Sequence, residues 1–254
     1  MSHKRDKLLT IYGRKPALEA LQSGKHDVAK VWIADHVRGE VIDQIVRLAK
    51  KKGVEIERAG AQRVSQISRN GKQDQGVAVD VLPPLFDSAE SYFSSKADDG
   101  RPEMYVAFDR LTTPANLGMC LRAGLGAGVS GFILPRFGVS DLNPLVVKSS
   151  AGTVFNARIL HCERAENGIV AAKSAGFFVV GLGAHAKINL FESEIPARTV
   201  WVLGGESEGY SPAVRKLTDA EMSVPMLGNL ESLNVATAGA IVMYEFYRRH
   251  LSRL

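Results

Sequence analysis

At 254 residues, 45% apolar and 23% charged, the chain has the make-up of a soluble globular protein with one large or two modest domains. No apolar run is long enough to cross a bilayer. The basic opening Met-Ser-His-Lys-Arg-Asp-Lys lacks the apolar core of a secretory signal, and Cys120 and Cys162 make neither a disulfide framework nor a zinc site, so a reducing, cytoplasmic setting without membrane or metal is expected. The net charge of +5 is uneven: residues 1–81 hold 16 Lys/Arg against 10 Asp/Glu and residues 103–254 hold 14 against 13, an excess that a phosphate-bearing partner and a solvated basic face would both explain.

In chain order, a helix is expected from about Pro16 to Leu21, with proline near its first turn. Val28–Ile33 reads as a strand. Val41 to Lys52 carries Val41, Ile45, Leu48 and Ala49 at helical spacing. A short alternating strand at Val54–Glu57, a helix at Ala61–Ile67 and a strand at Gly76–Leu82 follow, making a small α/β domain over residues 1–82. Residues 83–102, with prolines, serines and acids, suit a linker or a short peripheral helix.

From 103 to 254 strands and helices alternate again. Strands are expected at Met104–Phe108, Gly131–Leu134, Phe177–Leu182 and Val200–Leu203, and a further short apolar strand at Val224–Leu227. Helices are expected at Asn116–Ala127, Leu142–Ala151, Ala165–Ala175 and Val235–Leu251. Continuous apolar strands between helices mean a parallel sheet covered on both faces.

Three stretches in this half have one build, an apolar strand running into a polar, glycine-bearing loop. They are Thr112-Thr-Pro-Ala-Asn116-Leu-Gly118-Met-Cys-Leu-Arg122, Leu203-Gly204-Gly205-Glu206-Ser-Glu-Gly209, and Val224-Pro-Met226-Leu-Gly228-Asn-Leu-Glu-Ser232-Leu233-Asn234. Ligands of open α/β sheets bind beyond the carboxyl ends of the strands. Glycines let backbone approach a flat ligand, although Gly204-Gly205 alone would also serve as a mere turn.

Together and in this order the three stretches resemble the motifs of the SpoU (TrmH-type) RNA ribose 2′-O-methyltransferases of the SPOUT superfamily. The front domain resembles the substrate-binding domain of that family through Ile11-Tyr-Gly13-Arg14-Lys-Pro-Ala-Leu-Glu-Ala-Leu21 and Gln75-Gly76-Val77, with Asp74 where the family often has histidine. The resemblance implies an α/β fold: a C-terminal parallel-sheet domain tied in a trefoil knot, preceded by a small α/β RNA-binding domain. It also implies S-adenosylmethionine held by Leu203, Gly204, Val224, Met226 and Leu233, a homodimer, and a structured RNA substrate. The leading target is a guanosine of ribosomal RNA; transfer RNA, or a catalytically silent RNA-binding protein of the same fold, are the alternatives.

The functional set implied is Asn116, Arg122, Glu206, Ser232 and Asn234. A guanidinium hardly ever gives up its proton, so Arg122 is read as fixing the ribose or its phosphate and stabilising charge on the oxygen. Glu206 would accept backbone amides at the next helix start or contact the nucleotide. Ser232 would cap the last helix or hold the nucleotide, and Asn234 would face ligand or Asn116. Glu208 reads as solvated. Arg14, Lys15, Lys50, Lys51 and Lys52 are candidate phosphate contacts. Ile241, Val242, Tyr244, Phe246 and Tyr247 suit either a dimer interface or an internal core.

Two motifs point elsewhere and are discarded. Gly126-Ala-Gly128-Val-Ser-Gly131 spells a dinucleotide fingerprint but follows a helix and leads into a strand, the reverse of what phosphate binding needs. Gly205-Glu-Ser207-Glu-Gly209 spells a hydrolase elbow, but Pro212 marks the helix start too late and two glutamates would oppose an oxyanion at Ser207.

Overall fold

The computed structural model of the protein describes residues 8–23, 27–82, 86–206, 208–228 and 230–252. The basic opening run, the Pro83-Pro84 pair and Ser207 lie outside the described residues. The chain forms two compact units, residues 1–84 with 142–148, and residues 85–141 with 149–254.

In the first unit the order is β1 (Leu9–Tyr12), α1 (Arg14–Ser23), β2 (Asp27–Ala34), α2 (Glu40–Lys51), β3 (Glu55–Ala59), α3 (Ala61–Ser68) and β4 (Val77–Leu82). The four strands form one sheet in the order β1-β4-β2-β3, with β2 and β3 parallel and both pairs of β4 antiparallel. Val31, Ile33, Val77, Val79 and Val81 are buried, as are Ile42, Ile45 and Ala49 on one stripe of α2. Asp80 is buried but satisfied: its oxygens accept from Thr10 Oγ1 at 2.7 Å and from Trp32 Nε1 at 2.8 Å, which ties β1, β2 and β4 together. Strand β1 is an addition to the elements expected from the sequence.

The second unit begins with β5 (Phe86–Ser88), α4 (Ala89–Ser94), β6 (Glu103–Phe108), α5 (Pro114–Gly126) and β7 (Gly131–Pro135). Helix α6 (Pro144–Ser149), most of which belongs with the first unit, and a 3₁₀ turn (Thr153–Asn156) precede β8 (Ile159–Cys162), α7 (Ala165–Ser174), β9 (Phe178–Leu182), β10 (Ile188–Asn189) and β11 (Arg198–Leu203). The chain closes with α8 (Pro212–Arg215), β12 (Ala220–Ser223), α9 (Val235–Phe246) and a π turn (Tyr247–Leu251). Eight strands form one all-parallel sheet in the order β10-β12-β9-β11-β6-β7-β8-β5.

Side chains alternate across each central strand, so β6 and β11 serve two cores. Tyr105, Ala107, Val200 and Val202 pack with Phe93, Ile169 and Phe177 on the α4–α7 side. On the other side Phe108 stacks on Phe132, centroids 6.1 Å apart. There α5 and α9 come so close that a Cβ on Gly124 would lie 2.7 Å from the Phe132 ring, and one on Gly239 would lie 2.8 Å from Leu203. Cys120 and Cys162 are buried free thiols, and burial pushes both up to about 12.

Two expectations need correction. The strand expected at Val224–Leu227 is instead β12, at Ala220–Ser223, and Val224 begins a loop; Pro225 has no amide to give a ladder. The final helix is α-helical only to Phe246 and widens into a π turn beyond it.

Candidate active site

Strand order reverses between β6 and β11, and the carboxyl ends of these two strands open the site. The ladder between them runs one step past β11, Asp109 N donating to Leu203 O at 3.0 Å. Asp109 is buried and its Oδ2 accepts from Ser211 N at 2.7 Å, so the two loops leave the sheet already joined. Arg110 takes a left-handed backbone, φ 57, and its Nη1 lies 2.7 Å from Glu208 Oε2. Glu208 is thus both solvent-facing, as expected, and paired.

The loop after β11 is a tight hairpin. Gly205 and Gly209 exchange both backbone hydrogen bonds, at 3.1 and 3.0 Å. A Cβ on Gly204 would sit 2.2 Å from Tyr210 N, and one on Gly205 would sit 2.5 Å from Arg110 O. These glycines make room for the chain itself, not only for a ligand. Tyr210 closes the loop by donating to Glu221 Oε1 on β12 at 2.7 Å; burial, then that bond, push its hydroxyl pKa up and keep it a donor.

Asn116 stands in the first turn of α5, with Pro114 at the helix start, and is 4% exposed. Its Nδ2 donates to Glu206 Oε1 at 2.6 Å. Asn234 Nδ2 donates to the same oxygen at 2.9 Å and to Asn116 Oδ1 at 3.1 Å. Three residues from three separated stretches thus form one closed hydrogen-bonded set. Glu206 Oε2 has no partner among the described residues.

Two role expectations are corrected here. Asn234, not Ser232, caps α9: its Oδ1 accepts from Ala236 N at 2.9 Å and Thr237 N at 3.3 Å. Ser232 is exposed. Glu206 takes side-chain amides, not the backbone amides of the next helix, whose start is capped by Ser211.

Leu203 is fully buried against Gly239, its carbonyl engaged by Asp109, and Gly204 is buried beside it. Val224, Met226 and Leu233 are half-buried, whereas Leu227 is 98% exposed. Among the described residues, no backbone hydrogen bond ties Pro225–Leu227 or Glu231–Leu233 to the rest of the chain. Free amides to donate and carbonyls to accept, beside half-covered apolar side chains, suit a flat heteroaromatic ring.

Arg122 does not join the Asn116 set. Six residues along α5 it points about 120° away, into an open groove of about 690 Å³ that it shares with Met119, Gly126, Thr153, Asn156 and Tyr244. It is exposed, and no ion pair holds it among the described residues. Sequence reasoning missed Asp109 and Arg110, whose one signal was a charged pair directly after an apolar strand. Among the described residues, no cluster of three or more His, Cys, Asp or Glu could hold a metal ion, and no helix is long and apolar enough to cross a membrane.

Comparison with known proteins meets this geometry from outside. Residues 103–244 match the model of the SpoU rRNA methylase family, and residues 10–85 that of the RNA 2′-O ribose methyltransferase substrate-binding domain. A Staphylococcus haemolyticus protein, named a TrmH family tRNA/rRNA methyltransferase, is 28% identical over 95% of this chain and 96% of its own. A Bacillus subtilis protein of the same description is 26% identical over 94% and 95%. Two solved structures share the fold. The SpoU methyltransferase AviRb from Streptomyces viridochromogenes, in complex with AdoMet, has a TM-score of 0.72 and 22% identity, over 98% of this chain and 92% of its own. An AdoMet-bound rRNA methyltransferase from Sinorhizobium meliloti has a TM-score of 0.73 and 24% identity, over 97% and 89%. With one family model spanning more than half its length and lying over all three fastened turns, the chain belongs to the SpoU rRNA methylase family and is an RNA methyltransferase.

Proposed function

We propose that the protein transfers a methyl group from S-adenosylmethionine to the ribose 2′-hydroxyl of structured RNA, with a guanosine of ribosomal RNA as target. The observation that carries this reading is the Asn116–Glu206–Asn234 set, which fastens three strand-end turns at the carboxyl edge of a parallel sheet. The loop from Val224 to Leu233 offers open backbone groups for the edge of an adenine and Val224, Met226 and Leu233 for its faces. Bound S-adenosylmethionine supplies an electrophilic methyl on a sulfonium, which leaves as a neutral thioether.

The chain's residues must orient the ribose and manage its proton. A neutral hydroxyl is a weak nucleophile, and aligning it with the methyl lowers the barrier. The free Oε2 of Glu206 is suited to accept from a ribose hydroxyl. Arg122 stays charged and so serves as a clamp on ribose or phosphate and a stabiliser of negative charge on the oxygen. Residues 1–82 grip RNA and 103–254 carry the chemistry; of the stretch 83–102 read as a linker, Phe86–Ser94 is built into the second unit as β5 and α4. The C-terminal domain is knotted as a trefoil, α9 returning beneath β11 after β12 on the far side of β9.

The active form is a homodimer. Met119, Tyr244 and Tyr247 leave 41%, 49% and 39% of their surface exposed, the first two lining the groove of Arg122, and a second copy would dry it. An RNA substrate and buried, unpaired thiols suit a reducing cytoplasm.

The test offers the full-length protein radiolabelled S-adenosylmethionine with ribosomal RNA and, separately, transfer RNA, since relatives carry both words in their names. Digestion to nucleosides should return 2′-O-methylguanosine from ribosomal RNA. A label on the base, or label in transfer RNA alone, overturns the specific reading.

A further inference from the structure

The first unit holds a cleft of about 580 Å³ that the transfer chemistry does not use, lined by Arg14, His36, Arg38, Lys72, Asp74 and Gln75 among others. Among the described residues its cations have no acidic partner. Arg38 Nη1 donates to the carbonyls of Asp35 and, at 2.9 Å, Val37. Arg14 Nε donates to the Gln75 carbonyl at 3.4 Å. The ion pairs of this unit join Lys30 to Glu55 and Glu57; among the described residues none reaches Arg14, Arg38 or Lys72. A guanidinium aimed by neutral carbonyls keeps its charge and has N–H donors to spare.

The wall of the cleft is built to hold these groups. Asp74 is 4% exposed and accepts from Ser68 Oγ and from Gly76 N, both at 2.8 Å. That fixes Gln75 in a left-handed backbone, φ 53, where its side chain accepts from Arg14 N at 3.1 Å. At Gly76, φ 71, a Cβ would strike Val37 at 2.3 Å. Held strain of this kind gathers at binding sites. The position where the family often has histidine is therefore a buried brace for Arg14, not an RNA contact.

We propose that this cleft is where the front domain docks RNA, Arg14, Arg38 and Lys72 gripping phosphates while a nucleotide enters the cavity. The inference rests on the RNA methyltransferase reading and says where the substrate engages. The competing basic cluster, Lys50–Lys52, ends helix α2, where cations complement the dipole whatever the ligand.

The experiment uses the full chain and a fluorescein-labelled RNA stem–loop, with anisotropy read between about 50 and 200 mM KCl. Arg14→Ala/Arg38→Ala/Lys72→Ala should weaken binding by about tenfold or more at the low-salt end and flatten the salt dependence of log Kd by about two to three, near one per lost phosphate contact. Lys50→Ala/Lys51→Ala/Lys52→Ala should keep the wild-type slope, and calorimetry should give the cleft variant the wild-type affinity for S-adenosylmethionine. In methylation of ribosomal RNA the cleft variant should raise KM several-fold more than it lowers kcat. A wild-type slope and KM in the cleft variant overturn the proposal and leave the transferase reading standing. A wild-type protein that methylates no RNA strikes that reading itself.

Discussion

Asn234 meets two demands at once, and an aspartate separates them. Its Oδ1 caps α9, and its Nδ2 ties Glu206 at 2.9 Å and Asn116 at 3.1 Å. In Asn234→Asp the cap oxygen survives, and negative charge at a helix N-terminus contributes about 0.3–1 kcal/mol. Two hydrogen bonds are lost, about 1 kcal/mol each and more for the one to a carboxylate. Two carboxylates about 4 Å apart repel by about 1 kcal/mol in water and about 4 kcal/mol at an effective dielectric of 20. Both residues are exposed, so the lower figure governs. The balance is a loss of about 2–3 kcal/mol near pH 8, or a melting point lower by about 4–12 °C at this chain length. Because like charges raise the folded-state pKa of the pair above its unfolded value, the folded state binds the extra proton. The deficit should therefore shrink as pH falls towards 5 and grow as it rises. Asn234→Ala, which loses cap and bonds but adds no charge, should show a deficit that does not move with pH. Scanning calorimetry of the three proteins at the two pH values decides the matter. An aspartate variant whose deficit is as large at pH 5 as at pH 8 refutes the geometry, and one that melts with the wild type refutes the set altogether.

Gly204→Ala forces a Cβ to within 2.2 Å of the Tyr210 backbone, so it should cost about 3 kcal/mol or more and abolish cofactor binding; a variant with wild-type melting would mean the hairpin is not as tight as described. Neither Cys120 nor Cys162 should react with an aromatic disulfide reagent in the folded protein at pH 8, both reacting once it is unfolded, because burial holds their thiols at about 12; fast labelling of either would contradict that burial. Glu245 is held at about 2, first by its hydrogen bond to Arg248 and then by burial and Arg249 in opposition, so its contribution to stability is full above the ordinary carboxylate pKa of 4.5 and drains away as pH falls to about 2. Glu245→Gln should flatten that part of the acid-unfolding curve, and an unchanged curve would show that the clamp on α9 is not operating. Asp74→Ala strands Gly76 N and leaves Ser68 Oγ only the Ser65 carbonyl to donate to, and should lower stability by about 2 kcal/mol together with RNA affinity, while Asp74→Asn, which keeps an acceptor for Gly76, should recover most of both; equal loss in the two variants would disown the brace.

The sequence disclosed the long apolar elements and misplaced the short polar ones, for a physical reason. Val200–Leu203 and Phe177–Leu182 are apolar without a break because the sheet they enter is covered on both faces, and their composition alone says so. Ala220–Ser223, by contrast, carries Glu221 and Ser223 and is a strand only because β9 and β10 offer it partners. The adjoining Val-Pro-Met-Leu looks more strand-like and is not one, since Pro225 cannot donate to a ladder. Ile159–Cys162 escapes a sequence reading because four residues between charged neighbours give no period to read. The cap of α9 falls two residues later than Ser232, because serine and asparagine are equally good caps and only the position of the first helical amide decides between them.

The site was legible in kind but not in its wiring. Asn116, Glu206 and Asn234 stand out through resemblance, and nothing in their spacing, 90 and 28 residues apart, says that they touch. What brings them together is topology: β6 and β11 are neighbours although β7, β8, β9 and β10 come between them in the chain, and α9 packs against β11 through its Gly239, where any side chain would collide with Leu203. The glycines at 204 and 205 show the same limit from the other direction. In sequence they suggest space left for a ligand, whereas most of that space is filled by Tyr210 and Arg110 of the chain itself. The loop is therefore shaped before any ligand arrives, and among the described residues Glu206 Oε2 within it and the backbone of Pro225–Leu227 beyond it are left without partners, the groups that the proposed reading assigns to a ligand.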